Sequence, residues 1–175
     1  SWPKGITDTG QIRDQFHHVT DIAPTIMEIV GVEMPERIKG VAQMPVHGTS
    51  LAYTFPPAAK AEKTCKAAQY FEMWGHRGIW ADGWKAVAYH PSGKPWDDDR
   101  WELYHLDKDF SECRDLAREQ PEKLKAMVDL WWAEAGQHGV LPLDDRRAEA
   151  WRPSPRSYTP RNRTRYVLYP PVTHM

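Results

Sequence analysis

The stretch Gly78-Ile79-Trp80-Ala81-Asp82-Gly83-Trp84-Lys85-Ala86-Val87-Ala88-Tyr89 decides the fold. Asp-Gly suits the two central positions of a tight hairpin turn, where both residues need positive φ, and the flanks are aromatic and β-branched. Two strands joined at Asp82-Gly83 are therefore expected. Gln69-Tyr70-Phe71-Glu72-Met73-Trp74 upstream and Trp101-Glu102-Leu103-Tyr104-His105-Leu106 downstream have the same character and supply two more. The sum is an antiparallel sheet of about four strands.

Downstream, Pro121 stands where a helix can open without losing a hydrogen bond, and Gly136 marks its end. Leu124, Met127, Val128, Trp131 and Ala135 share one face of this segment, so it is expected to cover one side of the sheet. An earlier helix is signalled by Asp21 at the N-cap, Pro24 in the first turn and Gly31 just past the end. Its face of Ile22, Ile26, Ile29 and Val30 has no evident partner in the sequence. Residues 31–57, rich in Pro and Gly, read as a long surface connection. The fold class is thus α+β, with 1–57 and 58–175 as its two portions. The last part carries alternating Arg161, Arg163 and Arg165 and an apolar segment, Tyr166 to Tyr169.

Composition excludes several classes. Across 175 residues, 23 Lys and Arg balance 24 Asp and Glu for a net charge of -1, which disfavours nucleic acid and anionic membrane as partners. Mean hydropathy is -0.70 and no apolar run is long enough to span a bilayer, so a soluble protein is expected. Cys65 and Cys113 are far apart and outside any metal-ligand spacing, and read as buried free thiols. Nine Trp spread along the chain read mainly as packing residues. The opening Ser1-Trp2-Pro3-Lys4-Gly5-Ile6 reads as the end of an apolar strand, with the true start expected upstream.

The candidate functional residues are few. His90 ranks first because it ends a strand beside the turn Pro91-Ser92-Gly93, where scaffolds present binding side chains; a solvent-facing turn histidine is the plainer account. His76 and Arg77, between strands, have the same standing at a lower rank. His17-His18 reads as a satisfied pair rather than a metal site, and Asp97-Asp98-Asp99 as a solvated turn lacking the remaining ligands of a calcium loop. No nucleophile constellation, phosphate-cradling loop or metal cluster can be assembled from spacing.

Several segments in order resemble the bacterial formylglycine-dependent arylsulfatases, of the alkaline phosphatase superfamily. They are Trp2-Pro3-Lys4-Gly5-Ile6, Gln15-Phe16-His17-His18-Val19-Thr20-Asp21-Ile22-Ala23-Pro24-Thr25, Tyr70-Phe71-Glu72-Met73, Asp82-Gly83-Trp84-Lys85, Trp101-Glu102-Leu103-Tyr104, Pro121-Glu122-Lys123-Leu124 and Leu141-Pro142-Leu143-Asp144-Asp145. The resemblance implies the small C-terminal domain of such an enzyme, a four-stranded antiparallel sheet with a packed helix. The helix from Asp21 to Val30 would then be the last of a large α/β catalytic domain, on which this chain packs.

It also implies sulfate ester hydrolysis by a formylglycine hydrate, with Ca²⁺ neutralising the sulfate oxygens, in the complete enzyme. Neither Cys65 nor Cys113 lies in the Cys/Ser-x-Pro-x-Arg motif that yields formylglycine, and Lys4 is not the family's catalytic lysine. Catalytic and metal-binding residues are therefore expected upstream, and this chain alone is expected to be inactive. The resemblance makes His90 the nearest match to a histidine that approaches substrate. Its compartment would be cytoplasmic or periplasmic. Two alternatives stand beside it: a phosphonate monoester or phosphodiester hydrolase of the same superfamily, and a carbohydrate-binding module using Trp74, Trp96 or Trp101 as stacking platforms.

Overall fold

The computed structural model describes residues 2–57 and 63–146; the Arg161, Arg163 and Arg165 stripe and the Tyr166 to Tyr169 segment lie outside them. In chain order the elements are α1 (Ile22–Val30), β1 (Arg37–Ile38), β2 (Val41–Ala42), β3 (Ala68–Met73), β4 (His76–Ala81), β5 (Trp84–Ala88), β6 (Trp101–His105) and α2 (Pro121–Gln137). Strands β3-β4-β5-β6 form one antiparallel sheet in sequence order.

The Asp82-Gly83 turn works as its sequence indicates, with φ of 47° and 73°. A Cβ on Gly83 would lie 2.4 Å from the Asp107 carboxylate, so close approach as well as dihedral angle demands glycine there. The β3–β4 turn uses Trp74-Gly75 in the same way, at φ 55° and 90°. A bulky residue in the left-handed region is costly, and here it leaves the Trp74 ring exposed.

One sheet face is closed by α2. Ile79, Ala86 and Leu103 are register partners across β4, β5 and β6. They form the core with Met127, Trp131 and Ala135. Each large side chain buried this way contributes roughly 1.5–3 kcal/mol. The Trp131 indole N–H donates to the Phe71 carbonyl at 3.0 Å, so its one polar atom is satisfied.

The other face meets the N-terminal segment. Phe16 stacks on Trp80 with ring centroids 3.9 Å apart, and His18 meets Phe71 edge-on at 5.5 Å. Helix α1 ends as expected at Gly31, in the left-handed conformation. The face of α1 expected to press on a larger body is open: Ile22, Ile26 and Val30 are each more than half exposed.

Three expectations are corrected. Residues 31–57 are not wholly irregular, because Lys39-Gly40 closes a short hairpin of β1 and β2. Both cysteines are free but exposed rather than buried. Asp99 is not part of a solvated turn; its side chain is 1% exposed and pairs with Arg77, which needs a buried counter-charge.

Candidate functional site

Two polar clusters organise the described residues. The first is centred on Asp21. The sequence marks it as an N-cap, yet its carboxylate caps no α1 amide. It accepts instead from His18 N, Thr49 N and Lys66 Nζ, each at 2.8 Å. Asp21 is fully buried. Burial alone would raise its carboxyl, but Lys66 and the two amides outweigh that and hold it far below the usual carboxylate range. Thr25 extends the node, donating to the Asp21 carbonyl at 2.6 Å and accepting from Leu51 N at 2.9 Å. The two polar residues of Asp-Ile-Ala-Pro-Thr thus fasten the 49–51 backbone to the start of α1.

The histidine pair just upstream is satisfied, as its sequence reading holds. His17 bridges Asp21 at 3.2 Å and the Tyr53 hydroxyl at 3.1 Å, and His18 Nδ1 lies 3.1 Å from Thr20 Oγ1. Among the described residues no group of three or more His, Cys, Asp or Glu could hold a metal ion.

The second cluster lies at the end of the sheet carrying the Trp74-Gly75 turn. Arg77 pairs with Asp99, and its guanidinium sits 5.1–5.7 Å from the ring centroids of Trp96, Trp101, Trp131 and Trp132. Asp99 also faces His90 Nδ1 at 2.9 Å, and His90 stacks on Trp96 at 3.7 Å. The other His90 nitrogen, Nε2, lies 3.5 Å from Asp145. That carboxylate accepts from Gly93 N, which holds it below its usual range.

His90 is therefore placed differently from its sequence reading. It is fully buried and presents no atom to solvent. The carboxylates of Asp99 and Asp145 and the face of Trp96 enclose it. No periodicity could have announced this, because Trp96 and Asp99 come from a single 3-10 turn, Trp96–Asp98, and the residue capping it, and Asp145 comes from beyond α2.

His76 is half-buried. It lines a cavity of about 740 Å³ that runs over β3 and another of about 560 Å³ beside Tyr89 and Arg100. Its ring stacks on Tyr89 at 4.7 Å, and its Nδ1 accepts from the His90 backbone N–H at 3.1 Å.

The family described as N-sulphoglucosamine sulphohydrolase, C-terminal, matches residues 1–132. The chain belongs to that sulfatase family. This sulfatase C-terminal chain is similar to an uncharacterized sulfatase of Schizosaccharomyces pombe, 30% identical over 135 residues that make up 77% of this chain and 24% of that protein. It is also similar to Arylsulfatase K of Xenopus laevis, 25% identical over 168 residues, or 80% of this chain and 31% of that protein. A solved structure of a protein in complex with its substrate D-glucosamine-2-N,6-O-disulfate matches with a TM-score of 0.48 and 23% identity, over 72% of this chain and 25% of that one. The sulfatase C-terminal chain thus spans about a quarter to a third of the curated relatives it matches. Among its described residues no helix is long and apolar enough to cross a membrane.

Proposed function

We propose that this chain is the C-terminal part of an arylsulfatase, and that the hydrolytic machinery lies in polypeptide preceding Ser1. Family membership supports sulfate ester chemistry. The observation that carries the two-part reading is the open face of α1: Ile22, Ile26 and Val30 make one apolar stripe that the described residues leave more than half exposed. Such a stripe is expected to be covered in the working molecule. A large α/β body joined upstream is the occupant this reading supplies. That body would also hold the formylglycine and Ca²⁺, which would provide nucleophile and charge neutralisation.

This chain then contributes architecture. The Asp21 node fixes α1 against the 49–51 segment and, through Lys66, against the segment leading into β3. The stack of Phe16 on Trp80 seats the same segment on the sheet.

The carbohydrate-module alternative gains little. Of its three tryptophans only Trp74 is exposed; Trp96 stacks on His90 and Trp101 packs by Trp131. They do not form a row of open platforms.

Expression of the complete reading frame, alongside residues 1–175 alone, tests the proposal. The complete protein is expected to hydrolyse p-nitrophenyl sulfate and the fragment is not. Turnover by the fragment would refute the two-part reading. A complete protein that ignores sulfate esters and cleaves a phosphonate monoester or phosphodiester would replace the sulfatase activity with the phosphoryl alternative.

A further inference from the structure

We infer that His90 is a proton-controlled clamp: as an imidazolium it bridges Asp99 and Asp145 and holds the segment after α2 on the Pro91-Ser92-Gly93 turn, and as a neutral ring it lets that segment go. The clamp does not depend on which ester the complete protein hydrolyses.

Geometry sets the requirement. One ring nitrogen of His90, Nδ1, lies 2.9 Å from an Asp99 oxygen, and the other, Nε2, lies 3.5 Å from Asp145. An ionised carboxylate only accepts, so each nitrogen needs its own N–H to face one favourably, and only the cationic ring carries two. A neutral ring donating to Asp99 would turn the Nε2 lone pair toward a second anion. That nitrogen is buried and makes no hydrogen bond among the described residues, so it has no compensating partner. Charge balance gives the same answer. Asp99 is shared with Arg77, and the group of Arg77, Asp99, Asp145 and His90 is neutral only when the ring is a cation.

Asp145 is the point of attachment. Its carboxylate accepts from Gly93 N and its carbonyl accepts from Ser92 Oγ at 3.3 Å. The Gly93 amide, outweighing burial, keeps that carboxyl below its usual range, so Asp145 stays an anion where histidines titrate. The other titratable neighbour is His76, whose Nδ1 accepts from the His90 backbone N–H at 3.1 Å. Arg77 acts through Asp99, and Trp96, stacked on the ring at 3.7 Å, is neutral. The sign follows. While the ring holds both protons the clamp is complete, and as rising pH removes one the attraction for Asp145 is lost.

Hydrogen exchange of the complete protein tests this, read by mass spectrometry on the peptide containing the Gly93 amide and corrected for the intrinsic pH dependence of exchange. Protection in wild type is expected to fall about tenfold between about pH 6 and about pH 8.5. Asp145→Asn, at a side chain 23% exposed, should fold and lose that dependence, because a neutral amide gains nothing from the cation. His76→Gln, which keeps an acceptor for the His90 amide, should retain it. Wild-type protection that ignores pH, a dependence that survives in Asp145→Asn, or one abolished by His76→Gln would overturn the inference. Peptides of β4 should stay protected at both values; their loss in parallel would mark general unfolding and overturn it too.

Discussion

Lys66 reaches across 45 positions of sequence to place its ammonium 2.8 Å from the Asp21 carboxylate, with the two side chains 5% and 0% exposed. Breaking a buried pair leaves one charge without compensation, which typically costs about 3–5 kcal/mol. Asp21→Ala should therefore lower unfolding free energy by about that amount in urea titrations. Asp21→Asn with Lys66→Met, which removes both charges, should lose less than Asp21→Ala. A double variant as damaged as the single one would show that the amide bonds to His18 and Thr49 matter more than the ion pair.

The same carboxylate sets an acid limit. A group whose pKa is depressed by folding contributes stability above its unfolded value, about pH 4, and that contribution is lost as pH falls through the folded value. Asp21 and Asp115 are both depressed, Asp115 by the amides of Ala117 and Leu103 and by Arg100, against the opposing effect of burial. Stability should hold from neutral pH to about pH 5 and decline below about pH 4. Urea midpoints of Asp21→Asn should fall less steeply over that acid range than those of wild type.

At the alkaline end Tyr104 has the opposite sign. Burial, reinforced by donation to Glu102 at 2.8 Å, pushes its phenol up to about 12. The fold favours the protonated form, so this contribution is present below about pH 10 and disappears as pH rises through the folded value. Tyr104→Phe should show a shallower alkaline loss of stability between about pH 10 and 12, followed by circular dichroism.

Trp131 fills the space between α2 and the sheet and is fully buried. Trp131→Ala should cost about 3–5 kcal/mol, with an unchanged denaturant slope if the transition remains two-state. Trp131→Phe should recover part of it while leaving the Phe71 carbonyl without its indole partner.

Exposure of both cysteines makes a chemical prediction. Ellman's reagent should titrate two thiols in the folded chain without denaturant, and reduction should release no more. Fewer than two would mean that Cys65 or Cys113 is covered.

The sheet was legible because its signals are local. Asp82-Gly83 dictates a turn by dihedral angle, and the strands flanking it follow from it. The covering helix was legible for the same reason, through Pro121 and the spacing of Met127, Trp131 and Ala135. His90 was not, because its neighbours Asp99 and Asp145 and the ring of Trp96 converge only in three dimensions. Asp21 shows a subtler case: the sequence places it correctly before α1 but assigns the carboxylate to helix amides, whereas a lysine beyond residues 58–62 claims it.

The contacts of Phe16 with Trp80 and of Asp21 with Lys66 also bear on how such a gene can be cut and rejoined. A crossover at position 57/58 would leave a lysine without its anion in one product and an aspartate without its cation in the other. A junction ahead of Arg13, which donates to the Thr54 carbonyl, keeps the segment, its helix and the sheet as one inheritable block. Chimaeras joined there should express as folded protein, and those joined at 57/58 should aggregate.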